Sequence, residues 1–230
     1  MKADASSPPA GMARAKQTAL LIIGFLIGVA VMGLQMAITR PLTPHFGSDI
    51  YVWSAVIAVT MMAMMTGYYG GGRLVDLAPR SEALGVFVIL AALYLAAAPA
   101  LMQVEFLADP DPFFPGLKRS ALAWLSTEIP STPLGALIAA FVLVFPPFTL
   151  ISFFSPYCIR LILFDAAHGG RASGSVYAIT TFGNVIGVLG TALWLMTFMG
   201  SQAIIYLFAG WLAACGVGLI LLRTSARVHA

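Results

Sequence analysis

Charge is what this sequence has least of. Asp, Glu, Lys and Arg make up 9% of its 230 residues, and hydrophobic residues make up 60%. A soluble domain carries about 25% charged residues, so this chain lacks the polar surface to cover itself in water. Lipid is the solvent that suits the composition. Cysteine is almost as scarce: Cys158 and Cys215 are the two in the chain, with no CxxC pattern and no Cys/His cluster. That excludes a zinc or dithiol site on sequence grounds. Nucleotide loops of the GxGxxG or GxxxxGKS type are missing, as are GxSxG and HExxH. No cofactor, metal or catalytic residue is therefore assigned.

A second scarcity is positional. Six apolar runs reach the roughly 20 residues needed to cross a hydrocarbon core: 17–39, 51–70, 83–103, 134–157, 174–199 and 202–222. None has an Asp, Glu, Lys, Arg or His near its centre. Ionisable residues inside membranes mark proton relays and ion paths, so their lack argues against coupled cation transport. None of the runs alternates as a membrane barrel strand does. The sequence predicts an all-α membrane protein, a bundle of about six transmembrane helices.

The net charge is +3, but the basic residues cap the apolar runs instead of forming a nucleic-acid patch. With the N-terminus inside, Lys2, Arg14, Lys16, Arg73, Arg80, Arg160, Arg171, Arg223 and Arg227 fall on the cytoplasmic side. Arg40, Lys118 and Arg119 fall outside. That asymmetry sets the orientation, and an even number of spans returns the C-terminus to the cytoplasm. The expected organisation is a disordered tail over 1–15, a six-helix domain over 16–223 and a short tail over 224–230. Within the domain, 104–133 is an outer loop. Its Leu117, Ala121, Trp124 and Leu125 share one helical face, which predicts a short helix lying at the membrane surface. Pro146 and Pro147 predict a bent or broken fourth span, whose freed carbonyls need partners from neighbouring helices or water.

Three groups of polar residues stand out. Gln35, Thr181 and Asn184 lie deep, among the hydroxyls of Thr39, Thr60, Thr66, Thr149, Ser152 and Thr180. They read either as interhelical glue or as a polar binding cleft. Arg40, His45, Tyr51 and Trp53 gather where the first span ends, and an Arg there either snorkels to the interface or binds an anionic headgroup or carboxylate. Arg73, Asp76, Arg160, Asp165, His168 and Arg171 form a cytoplasmic group. Arg73 and Asp76 have the spacing of a helical ion pair, and the whole group reads either as topological anchoring or as a docking or gating surface. Neither the Arg40/His45 set nor Asp165/His168 supplies a converging acid–base pair. Gly24 and Gly28 on the first span, and Gly183, Gly187 and Gly190 on the fifth, predict close helix packing, within the chain or across a dimer.

Three stretches carry a resemblance: QMAITRPLTPHFGSDIYVW (35–53), GYYGGGRLVDLAP (67–79), and 155–202, which includes SGSVYAITTFGNVIGVLGTALWL. Together they resemble the membrane-embedded half of bacterial fused MFS/spermidine synthase proteins, over roughly residues 20–222. The GGGRLVD stretch is also similar to the cytoplasmic loop motif of major facilitator transporters, in which an Arg/Asp network sets the gate. In the fused spermidine synthase family a cytosolic aminopropyltransferase domain usually follows the helices. No Rossmann-like domain, methionine-nucleoside site or carboxylate pair for a polyamine is found in these residues. Gln35 occupies a position where relatives often carry Glu, which weakens binding of a cationic polyamine. The resemblance implies a non-catalytic module of the bacterial inner membrane that anchors or assembles with a separate protein or with its own copies. The alternative is a transporter-like half unit, similar to one six-helix half of a major facilitator, for polyamines or other small polar metabolites.

Overall fold

A computed structural model describes residues 14–47, 50–103, 105–107, 118–129, 131–162 and 169–224. Six helical segments among them are long and apolar enough to cross a bilayer. Lipid offers no partner for a bare backbone group, so each run satisfies its own N–H and C=O groups as a helix. The all-α bundle of about six spans expected from the hydropathy pattern is what forms.

Helix α1 (Arg14–Phe46) outruns its expected end at 39 and carries Pro41 and Pro44 in its last turns. It stops at Gly47, whose φ of 83° suits a residue without Cβ and whose N–H bonds to Thr43 O at 2.9 Å. Helix α2 (Ile50–Leu77) runs straight through Gly70, Gly71 and Gly72. These glycines make no tight turn. At Gly71 an added Cβ would lie 2.9 Å from the Phe153 Cα, so the glycine permits close approach of the fourth span.

Helix α3 (Ser81–Gln103) is followed by two three-residue strands, β1 (Glu105–Leu107) and β2 (Lys118–Ser120). They pair antiparallel, with Phe106 opposite Arg119. The expected surface helix is α4 (Ala121–Glu128), whose N-cap Ser120 accepts from Ala123 N at 3.3 Å. Among its described side chains Leu122 is buried, while Ala121 and Leu125 are half-buried. Leu117 and the Trp124 side chain lie outside the described residues. The helix packs against α1, α3 and α5, so it caps the bundle.

The fourth span is interrupted, but not at its proline pair. Helix α5 (Thr132–Ser152) continues through Pro146 and Pro147. It gives way at Phe153 to α6 (Phe154–Ile162). Pro156 explains the position, because it lacks the N–H that would reach Ser152 O and its ring crowds that carbonyl. The fifth span is α7 (Gly169–Gly190), a π-helical turn (Thr191–Leu195) and the single turn α8 (Met196–Phe198). Helix α9 (Ser201–Leu222) completes the bundle.

Three helix pairs make the closest contacts: α1 with α7, α2 with α5, and α3 with α9. Helix α1 also touches α9 and α5. Leu34, Ile38 and Leu42 of α1, Val56 and Val59 of α2, Leu84 and Leu95 of α3, and Ile204 and Leu212 of α9 fill the centre. Between apolar helices in lipid the attraction comes from dispersion and tight fit, so small residues decide the approach. On the α1–α7 seam, a Cβ on Gly28 would collide with Thr180 O. One on Gly183 would meet Phe25 O, and one on Gly187 would meet Val29 O. The glycine pattern thus serves packing within the chain at these positions. Gly190 has nothing within 4 Å of an added Cβ.

Candidate functional site

The predicted polar cleft does not assemble. Gln35 is buried on α1 and Asn184 is half-buried on α7. Asn184 Oδ1 lies 3.2 Å from the Cβ position of Gly28, about 10 Å below Gln35 along α1 at 1.5 Å per residue. Thr181 is exposed on α7. The surrounding hydroxyls explain why no cleft forms. Thr39 donates to Met36 O at 2.7 Å, Thr60 to Val56 O at 2.8 Å, Thr149 to Phe145 O at 2.7 Å and Ser152 to Phe148 O at 2.7 Å. Thr66 and Thr180 likewise return to carbonyls of their own preceding turns. Hydroxyls within a helix take this local bond readily, which leaves few to bridge helices. Thr66 and Thr149 approach to 3.4 Å between α2 and α5, where either hydroxyl would have to turn its one proton away from its own helix to bond the other.

Among the described residues, no hydrogen bond or ion pair joins members of the group expected on the cytoplasmic side. Arg73 lies over the ring of Tyr69, 4.2 Å from its centroid, and among the described residues it makes no ion pair with Asp76. The i−4 aromatic offers the guanidinium a face one turn away, whereas Asp76 is exposed to competing solvent. Arg160 is half-buried, with an Nε that finds no hydrogen-bond partner among the described residues. Arg171 is exposed at the start of α7. Asp165 and His168 lie outside the described residues.

A different set of contacts ties the helix ends on that side, and the sequence reading missed it. Ser81 N donates to Thr224 O at 2.8 Å, and Thr224 N donates to Ser81 Oγ at 2.8 Å. Arg223 Nε approaches Glu82 Oε1 at 3.8 Å, both side chains being well exposed, and Lys16 Nζ reaches Arg223 O at 3.4 Å. Arg223 has φ 41°, which turns the chain out of α9 and back toward α3. The signal available in the sequence was the Ser-Glu pair opening one span and the Arg-Thr pair closing another.

At the opposite end the predicted group is half realised. Arg40 and Trp53 come together on the wall of a cavity of about 380 Å³ between α1, the start of α2 and the turn formed by the π segment and α8. Arg40 Nη1 donates to Met196 O at 3.1 Å. Met196 lies among the last carbonyls of its helix, which have no partner within it, so the guanidinium acts as a side-chain cap. Tyr51 is exposed and does not line the cavity, and His45 lies edge-on to Phe46 with ring centroids 6.5 Å apart. Helical phase separates them: Arg40 and His45 point to different sides of α1. No sequence cue marked the π-helical turn, because Thr191–Leu195 holds neither Gly nor Pro.

Of the six spans among the described residues, the fifth is the least buried. Only 17% of its apolar window is buried, against 39–56% for the other five, and its mean hydropathy of 1.5 is the lowest of the six. Gly170, Gly174, Ala178, Thr181, Val185 and Leu189 are all exposed along α7. An added Cβ on Gly170 or Gly174 would meet nothing within 4 Å. Among the described residues, no group of three His, Cys, Asp or Glu could hold a metal ion. No protein-family model, curated protein or solved structure matches the chain.

Proposed function

We propose that this chain is a non-catalytic membrane module that assembles with a second membrane-embedded chain through the open face of α7. One observation carries the reading: the span with the least buried surface is also the least hydropathic. A helix facing lipid alone favours the opposite combination. Gly170, Gly174 and Ala178 recur at every fourth residue on that face, the spacing that lets a neighbouring helix approach closely. The distribution of Lys and Arg supports an orientation with both termini in the cytoplasm, and the resemblance to bacterial proteins supports a bacterial inner membrane. The resemblance to the membrane half of fused spermidine synthase-like proteins supports a role beside a separate protein.

A second reading is a transporter-like half unit for polyamines or other small polar metabolites. Thr181, one of the residues expected to form a polar cleft, is exposed on α7, where a second copy would enclose it. Affinity purification in mild detergent followed by mass spectrometry separates the readings. A stoichiometric second protein supports the module. A homodimer that takes up labelled polyamine in proteoliposomes supports the transporter. A monomer without stable associates counts against both.

A further inference from the structure

The cavity at the Arg40 end sits at a depth that selects its ligand. Helix α1 is apolar between Lys16 and Arg40 and has no ionisable residue there. Those two cations are roughly 24 residues apart, about 36 Å along the helix axis. A hydrocarbon core is about 30 Å thick, and a bilayer with its headgroups about 40–45 Å. The cations therefore straddle the core, and Arg40 stands in the layer occupied by lipid phosphates.

The chemistry of the walls agrees with that depth. Arg40 uses one donor on Met196 O and pairs with no carboxylate among the described residues, which leaves the rest of its planar fork for an anion. The three threonines on the wall have committed their protons. Thr39 donates to Met36 O, Thr43 to Thr39 O and Thr197 to Trp194 O. Their oxygens retain acceptor capacity, which suits donors carried beside the anion. Trp53 supplies an aromatic wall of the kind favoured at headgroup level. The space, about 380 Å³, stands open on one side, which suits a headgroup still joined to its lipid.

We propose that this cavity binds a phosphoryl group, presented by a lipid headgroup that carries hydrogen-bond donors next to its phosphate. Arg40 holds the phosphate, and the threonine oxygens accept from the neighbouring ammonium or hydroxyl. The site is independent of the α7 face and of any partner there.

The test uses the full chain, purified in mild detergent, stripped of lipid and exposed separately to phosphatidylethanolamine and to inorganic phosphate. Native mass spectrometry reads the bound species. The wild type retains phosphatidylethanolamine about tenfold better than Arg40→Gln, the difference expected for loss of one charge-assisted contact. Thr197→Phe, at an exposed position, fills the cavity while leaving the Arg40–Met196 bond in place, and it lowers retention to a similar degree even if Arg40→Gln fails to fold. Arg40-dependent binding of inorganic phosphate without retention of the lipid keeps the phosphoryl site but assigns it to a soluble ligand, which overturns the headgroup. Equal binding of both probes by wild type and variants overturns the site.

Discussion

The hydroxyl of Tyr94 on α3 donates to the carbonyl of Val142 on α5 at 2.6 Å. Val142 lies four residues before Pro146, so its carbonyl is the one that the proline leaves without an intrahelical donor. The sequence predicted that carbonyls freed at the proline pair would need partners from neighbouring helices or water, and Tyr94 is a partner of the first kind. A removed N–H in one span is thus answered by a side chain of another, which helps α5 to pass through Pro146 without breaking. Tyr94→Phe is expected to cost about 1–2 kcal/mol, because it strands an acceptor in a water-poor region. In the Pro146→Ala background the same change costs much less, since the alanine N–H reoccupies Val142 O. Thermal unfolding of the four proteins in detergent checks this. Additive losses would contradict the pairing.

The α1–α7 seam gives a contrast between two glycines one turn apart. Gly187→Ala places a Cβ against Val29 O, which is backbone and cannot swing aside. It is expected to lower folded yield sharply. Gly190→Ala meets nothing within 4 Å and is expected to be neutral or to stabilise by about 0.5–1 kcal/mol through helix propensity. Monodispersity on size exclusion and the melting temperature distinguish the two. Equal effects would sink the assigned seam.

The Ser81–Thr224 exchange joins the first residue of α3 to the chain just past α9, and Ser81 is fully buried. Ser81→Ala leaves Thr224 N without its acceptor and is expected to destabilise by about 1–2 kcal/mol. Glu82→Gln, which removes a solvent-exposed ion pair to Arg223, is expected to change stability by less than about 1 kcal/mol. A thermal-shift comparison of the two variants measures the difference.

Much of the fold was legible because lipid leaves the backbone little choice. Each long apolar run had to become a helix, and all six did. Helix ends were less legible. Pro41 and Pro44 suggest a stop near residue 39, yet α1 continues to Phe46, although the prolines remove the N–H groups that would reach Ala37 O and Arg40 O. Polar sites were the least legible. Gln35, Thr181 and Asn184 share an apolar context in the sequence, but depth along the helix and rotation around it separate them in space. Arg40 and Trp53 do meet, on a cavity whose third wall is a π-helical turn without a Gly or Pro to announce it. Arg73 and Asp76 have ion-pair spacing, and the aromatic ring of Tyr69 takes the guanidinium instead.

The central claim is that α7 faces another protein. Cys158 and Cys215 are both buried, so a single added cysteine dominates surface labelling. Val185→Cys and Leu189→Cys, on the open face of α7, and Leu93→Cys, on the exposed side of α3, would each be coupled in native membranes to a maleimide-linked photo-crosslinker. The account predicts that irradiation yields a defined protein adduct from positions 185 and 189 and only lipid adducts from position 93. Lipid adducts alone from all three positions would contradict it.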